Sequence, residues 1–356
     1  MNQVNSLNTE RQAARVLERL LREIPQLHLD HVNRQGAQGV KAKYDIVAEG
    51  RYAGRPVRLV VEVKSNGQPR IMRDAAHQLK RYLDHRKEKV VPVVMAPYLS
   101  EQAREACREE GVGYADFLGN VYIAFDTVYI DRQVAGRPEP ERRALRSLFK
   151  PKSARILRSL LREPGRSWRV AELAETAQVS IGLVSTIGSA LRERGWAEQS
   201  AEGLVLSDPA NLLDTWAEEY EQPKGEEIRR YTHFHGTSLT DRLRKRPPNA
   251  GRAILSSFSA AEWLAPYVRQ GTSFFYADEE GLVALEQALD LKPTAKGANV
   301  HIRVPDEDGV LEDAVRVAEG LFATSPVQTY LDLVHAGERG REGAEHLRTT
   351  LLKWNL

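Results

Sequence analysis

Cysteine is almost absent from this 356-residue chain: Cys107 stands alone, so no internal disulfide can form and no cysteine cluster can hold zinc. A single thiol fits a reducing compartment. Its setting, Ala103-Arg-Glu-Ala-Cys-Arg-Glu-Glu110, is a helical pattern in which a small packed residue is expected and a nucleophile is not. Long apolar runs are missing as well, and nothing approaches the roughly 20 apolar residues of a spanning helix. The polar start Met1-Asn-Gln-Val-Asn-Ser-Leu-Asn-Thr9 leads into a charged helix, unlike a secretory signal. These absences predict a cytoplasmic protein. There is also no Gly-x-x-x-x-Gly-Lys loop and no dinucleotide fingerprint, which leaves a nucleotide-driven enzyme unsupported. Tandem repeats and low-complexity segments are lacking too.

Charge is abundant, and its net value of +2 hides a polarity. Met1–Arg169 holds 32 Lys plus Arg against 20 Asp plus Glu, and Val170–Leu356 holds 19 against 29, giving +12 and −10. Within Arg137–Arg169 the count is 11 basic to 3 acidic. A basic half is what a nucleic-acid-facing surface requires, because each neutralised phosphate releases counterions. A solvated helix surface accounts for the same residues, so the asymmetry does not choose between the two by itself.

The length predicts two or three domains, and the order of elements predicts an α/β multidomain protein. A helix is expected over residues 8–25, with Ala14, Leu17, Leu20, Leu21 and Ile24 inward. Strands follow over 44–48 and 57–64, a helix over 71–85, a strand over 90–96, a helix over 101–110, and short strands over 113–117, 121–125 and 128–130. This first α/β section spans 1–136. Arg137-Pro-Glu-Pro-Glu-Arg142 reads as a linker. The next section, 137–222, has helices beginning near Lys152 and Trp168, a third over 181–194 stopped by Gly195, and two short strands around a tip at 201–203. Three helices and a small hairpin predict a winged helix-turn-helix. A C-terminal α/β section, 223–356, has strand candidates at 253–257, 273–277 and 300–304. Its expected helices lie near 260–269, 281–289, 311–320 and 326–354, with a break at Gly337.

Chemistry concentrates in the first section. The period of two along Val57-Arg-Leu-Val-Val-Glu-Val-Lys64 puts Glu62 and Lys64 on one face, with Leu59, Val61 and Val63 on the other. Asp45 stands on the adjacent predicted strand. Two carboxylates on neighbouring strands can hold a magnesium ion, while a Lys ammonium can orient a water or stabilise charge developing on a phosphate. Charged residues at a strand end also discourage edge pairing, a blander account of the same residues. In the helix that follows, Gln78 and Tyr82 lie four apart on one face. The ordered set Asp45, Glu62, Lys64, Gln78 and Tyr82 resembles the PD-(D/E)XK nuclease superfamily. That resemblance implies a restriction-endonuclease-like fold, Mg2+ on Asp45 and Glu62, a catalytic role for Lys64, and support or DNA contact from Gln78 and Tyr82. It also points to Glu18 on the first helix as a further carboxylate.

In the second section, Ser180, Ser185, Thr186 and Ser189 offer hydroxyls near the start of the expected recognition helix, and Arg192 and Arg194 lie at its end. Arg155 and Arg158 on the preceding helix extend the candidate DNA surface. Against this, the wing tip holds Glu202 and no Lys or Arg, and the recognition helix lacks Arg, Asn and Gln at its start. A winged helix used for protein contact stays open at this point. His233 and His235, and Glu342, Glu345 and His346, have spacings compatible with metal but routine on charged surfaces.

Further blocks resemble one bacterial family. They are Val91-Pro-Val-Val-Met-Ala-Pro-Tyr-Leu-Ser-Glu101, Gly111-Val-Gly-Tyr-Ala-Asp-Phe-Leu-Gly-Asn-Val-Tyr-Ile123, Ser257-Phe-Ser-Ala-Ala-Glu-Trp-Leu-Ala-Pro-Tyr267, and Ser325-Pro-Val-Gln-Thr-Tyr-Leu-Asp-Leu333 with Gly337-Glu-Arg-Gly-Arg-Glu-Gly-Ala-Glu345. Together with the central winged helix they resemble AbiEi antitoxins of type IV toxin-antitoxin systems. The resemblance implies a regulator that binds double-stranded DNA, represses its own operon, and is paired with a nucleotidyltransferase-type toxin. The simplest such antitoxins begin with their winged helix, whereas here a nuclease-like section comes first. Winged-helix regulators often read paired half-sites, so a homodimer is an expectation, although no heptad seam is present. Three readings follow: the DNA-binding regulator, which leads; a magnesium-dependent DNA endonuclease using Asp45, Glu62 and Lys64; and an acidic C-terminal module that captures a partner protein.

Overall fold

In the computed structural model, residues 2–34, 44–83, 90–125, 127–247, 249–267, 270–294 and 296–354 are described. The chain opens with α1 (Asn2–Arg22), whose Ala13, Val16, Leu17, Leu20 and Leu21 recur at three- and four-residue spacing and are all buried. They cover one face of a seven-stranded sheet. Its first three strands are β1 (Leu27–Arg34), β2 (Ile46–Tyr52) and β3 (Arg55–Val63), each antiparallel to the next. The β2–β3 hairpin closes on Ala53 and Gly54, with φ of 49° and 79°, the two positive values a tight twisted turn needs. Gly50 is required by close approach, because a Cβ there would lie 2.5 Å from the His28 carbonyl oxygen on β1.

From β3 the chain crosses through α2 (Pro69–Leu83) to β4 (Val91–Ala96), then through α3 (Glu101–Glu109) to β5 (Gly113–Asp116), both pairings parallel. β6 (Val121–Phe125) and β7 (Val128–Arg132) finish the sheet antiparallel, so its order is the chain order. Alternation along the strands divides the core in two. Ile46, Leu59, Val61 and Met95 pack under α1, while Val47, Val60, Val94 and Tyr114 pack against Met72 and Leu79 of α2 and Cys107 of α3. Cys107 is fully buried, and burial pushes its thiol up to about 12, which makes it an unreactive core residue.

The expected linker at Arg137–Arg142 is instead the start of α4 (Glu139–Leu148), with Glu139 and Glu141 at its positive end and Leu145 and Leu148 buried. Then come α5 (Pro151–Arg162), α6 (Val170–Thr176), α7 (Ile181–Glu193), the antiparallel pair β8 (Ala197–Gln199) and β9 (Leu204–Leu206), and α8 (Pro209–Glu218). Gly195, at φ 75°, stops α7 as its position suggested.

A second seven-stranded mixed sheet follows. Its elements in chain order are β10 (Gly225–Tyr231), α9 (Gly236–Arg244), β11 (Ala253–Leu255), α10 (Ser257–Leu264), β12 (Ser273–Ala277), α11 (Glu279–Ala288), β13 (Lys292–Pro293) and β14 (Val300–Pro305). They continue with α12 (Gly309–Glu312), β15 (Val315–Ala318), β16 (Leu321–Ala323), α13 (Pro326–Val334) and α14 (Gly337–Leu351). The strand order is β13-β10-β14-β12-β11-β16-β15, with β12–β14 and β11–β16 parallel. The helix expected over 311–320 is a single turn, α12, followed by β15, where Val315 and Val317 alternate with Arg316 and pack inward. The break at Gly337 separates α13 from α14, as expected.

The protein is thus a mixed α/β chain with two large mixed sheets and, among the described residues, fourteen helices. Two compact units form: residues 1–144 with 190–195, and residues 145–189 with 196–356. Among the described residues no helix is long and apolar enough to cross a membrane.

Candidate functional site

Asp45 stands one residue ahead of β2, and its N–H extends the hairpin ladder by donating to the Val61 carbonyl at 3.0 Å. The side chain turns back along β3, where Oδ2 accepts from the Val63 N–H at 2.7 Å. On β3 itself, Leu59, Val61 and Val63 face α1 while Val60 faces α2. By the two-residue period Glu62 shares the Val60 face, at the C-terminal end of the strand. Lys64 closes the strand, donating its N–H to the Met95 carbonyl of β4 at 2.8 Å, and its Nζ lies 2.7 Å from Glu62 Oε1.

The three side chains form one electrostatic group. Burial first, then the Glu62 charge, pushes the Asp45 carboxyl up to about 6. The Val63 amide hydrogen bond and the Lys64 charge act the other way. Glu10 of α1 adds to the push, so it is Glu10, and not the expected Glu18, that lies near enough to act on Asp45. Eight residues separate the two glutamates, which at 100° per residue sets them about 80° apart around α1. Glu18 instead pairs with Arg22 at 2.7 Å on the solvent side. Tyr82 reaches the neighbourhood through Tyr44, its ring 5.9 Å away and tilted 52°. Gln78 is exposed on α2 and, among the described residues, makes no hydrogen bond to the triad.

The donor set allows a hard divalent cation. Among the described residues Asp45 Oδ1 and Glu62 Oε2 accept no hydrogen bond, and two carboxylates suit Mg2+, which keeps several of its waters. No group of three or more His, Cys, Asp or Glu gathers for a metal among the described residues. His233 and His235 fall after β10 rather than on a strand, and His346 stacks on Tyr267 at 4.9 Å.

The residues expected to meet DNA divide into two sets. On α7, Ser185 and Thr186 are exposed, and so are Ile181 and Gly182, giving an outward face of small or uncharged side chains with Ile181 59% exposed. Ser180 is exposed and accepts from the Leu183 N–H at 3.3 Å, Thr186 Oγ1 donates to the Gly182 carbonyl at 2.9 Å, and Ser189 is half-buried. Arg192 is half-buried.

The other set is turned away from solvent. Arg155 lies 2.7 Å from Glu312 and 3.5 Å from Glu307. Arg158 is 3% exposed and is held by the Gly309 carbonyl, Gln328 and Asp313; burial pulls its guanidinium below the usual arginine range. Arg194 is also buried and pairs with Glu141 at 2.8 Å. These three guanidiniums pair with carboxylates of the chain itself, which keeps them off the outer surface that a duplex could lie against. A basic helix read alone cannot reveal acidic partners some 150 positions further on.

A polar cluster that sequence reasoning did not single out lies in the second unit. The half-buried Tyr220 donates to Asp332 Oδ1 at 2.5 Å, and the buried Tyr276 and Gln328 donate to it at 3.1 Å and 3.0 Å. Burial pushes the Asp332 carboxyl up to about 6, against these hydrogen bonds. The available signal was Gln328-x-x-x-Asp332 on the inward face of α13, a polar pair one turn apart within an apolar run.

Residues 205–353 match the protein family described as a transcriptional regulator, AbiEi antitoxin, of type IV toxin-antitoxin systems. The match takes in α8 and the whole second sheet with its helices. No curated protein matches the chain. Among solved structures, the apo form of EndoMS is similar at 16% identity over 29% of this chain and 45% of that one, with a TM-score of 0.21. The chain therefore spans under half of that protein, and a likeness of that size carries no argument.

Proposed function

We propose that this protein is a DNA-binding transcriptional regulator of the AbiEi antitoxin type, acting on double-stranded DNA and paired with a toxin protein. The observation that carries the reading is the family match over residues 205–353. Further support comes from α5, α6, α7 and the β8–β9 pair, whose order is that of a winged helix-turn-helix. In this reading α7 is the recognition helix. Ser185 and Thr186 meet phosphate or base edges, Ile181 and Gly182 allow close approach, and Arg169, exposed at the start of α6, supplies charge. Arg155, Arg158 and Arg194 are no part of it. The test is fluorescence anisotropy with the DNA upstream of its own coding sequence and with unrelated duplex at the same salt. Tighter binding to the upstream DNA is expected; equal affinity would remove the regulator reading.

A second reading, a magnesium-dependent DNA nuclease, is favoured by one observation: Asp45, Glu62 and Lys64 form a single electrostatic group in which Asp45 is held near 6. Asp45 and Glu62 would hold the ion, which when bound supplies Lewis-acid charge to a phosphate. Lys64 would position the attacking water or meet developing charge. Incubation with supercoiled plasmid and Mg2+ decides it: nicking that Lys64→Ala abolishes supports the reading, and intact plasmid across several metals removes it.

A further inference from the structure

In the second unit, α5, α8, α12 and the segment from Glu219 to Lys224 enclose a cavity of 420 Å³. One wall is apolar. Phe149 and Trp216 stack there at 5.6 Å with planes 5° apart, and Pro151, Ala154 and Val310 continue the surface. The mouth carries both signs, with Lys150 and Lys224 against Glu221 and Asp306, so it sets no charge preference. The inner end does.

There Arg158, 3% exposed, lines the cavity. Its Nη1 donates to Gln328 Oε1 at 3.3 Å, its Nη2 to the Gly309 carbonyl at 2.9 Å, and its Nε lies 3.2 Å from Asp313 Oδ2. Gln328 Nε2 donates to the Tyr220 hydroxyl at 2.8 Å and to Asp332 Oδ1 at 3.0 Å, which fixes the amide with its Oε1 towards Arg158. A guanidinium carries five N–H groups. Hydrogen bonds to partners among the described residues account for two, one on each terminal nitrogen, and leave a second N–H on each; Nε faces Asp313 as an ion pair without a hydrogen bond. Buried donors without acceptors cost about 1–3 kcal/mol apiece, and two donors on one planar fork match the two oxygens of a carboxylate. The volume is that of a small-molecule site, apolar with a few convergent polar groups.

We infer that this cavity binds a planar aromatic carboxylate, its rings against the Phe149–Trp216 pair and its carboxylate on the terminal nitrogens of Arg158. The site requires neither DNA nor a metal, so its test is independent of the functional readings above. The experiment is isothermal titration of the full chain with 2-naphthoate and, separately, with the uncharged 2-naphthamide. Saturable one-to-one binding of the carboxylate is expected, with the amide weaker by at least about tenfold because it lacks the charge that Arg158 pairs. Ala154→Phe, which fills the cavity from α5, should abolish binding while far-UV circular dichroism still shows a folded chain. Absence of binding by 2-naphthoate up to its solubility limit, equal affinity for the amide, or wild-type affinity in Ala154→Phe would each overturn the assignment. Because the carboxylate–amide comparison uses the wild-type chain, it stands even where a variant fails to fold.

Discussion

Asp45→Asn should make the protein more stable at neutral pH, the reverse of what removing a buried hydrogen-bonded residue usually does. The folded state holds this carboxyl at about 6 against a usual value of 3.8, so it binds the proton more tightly than the unfolded chain does. Stability is therefore fully present below about pH 4, falls as pH rises towards about 6, and stays at the lower level above that. The displacement corresponds to about 3 kcal/mol, and the residual solvent access of the side chain reduces this to about 2 kcal/mol. Asparagine removes the charge that desolvation and Glu62 oppose, while its carbonyl can still accept from the Val63 N–H. The assay is urea unfolding of both proteins at pH 4 and pH 7.5. All five tryptophans, Trp168, Trp196, Trp216, Trp263 and Trp354, lie in the second unit, so their fluorescence follows that unit, and circular dichroism adds the first. At pH 7.5 the first unit's midpoint should rise by about 1 M, for a slope near 2 kcal/mol/M, and at pH 4 the difference should vanish. An equal gain at both pH values, or a loss at pH 7.5, would refute the electrostatic account of this site.

Three other outcomes follow from the same contacts. Arg158→Met should cost about 1–3 kcal/mol, because it leaves the buried Gly309 carbonyl and Gln328 Oε1 without their donor while Asp313 keeps Arg162; the tryptophan-monitored transition reads it. Arg194→Ala takes the guanidinium from Glu141 and leaves it the neutral Gln68 amide, and should lower the dichroism-monitored transition by about 2 kcal/mol without moving the tryptophan signal. Ser185→Glu with Thr186→Glu places two anions on the outward face of α7. It should weaken binding to the upstream DNA by about 10³-fold at fixed salt, with no change in either unfolding transition.

Much of this architecture could be read from residue patterns, and the failures have physical causes. The β2–β3 hairpin announces itself through alternation in Val57–Val63, because one face is buried under α1 and the other under α2. β1 carries no such signature, because a register shift between Leu29 and His31 breaks its alternation. At α4 the prolines Pro138 and Pro140 look like a linker, yet Pro138 stands just ahead of the helix and Pro140 in its first turn, where no intrahelical N–H is required. The greatest loss was in the candidate DNA surface. Helix periodicity places Arg155 and Arg158 on faces of α5 but cannot tell which face meets Glu307, Glu312 and Asp313, whose separation in sequence leaves no local trace. For the carboxylate site the pattern located Asp45, Glu62 and Lys64, while Glu10 needed the rotation of α1 to be known.

The central claim, a regulator that recognises DNA through the second unit, is tested most directly by anisotropy titration. The duplex from upstream of its own coding sequence is compared with a scrambled duplex of equal length, at one physiological salt concentration. The account predicts binding to the upstream duplex tighter by about 10³-fold or more, the scale that separates specific from non-specific complexes. Ser185→Glu with Thr186→Glu should erase that preference. Equal affinity for the two duplexes, or a preference that survives those substitutions, would contradict it.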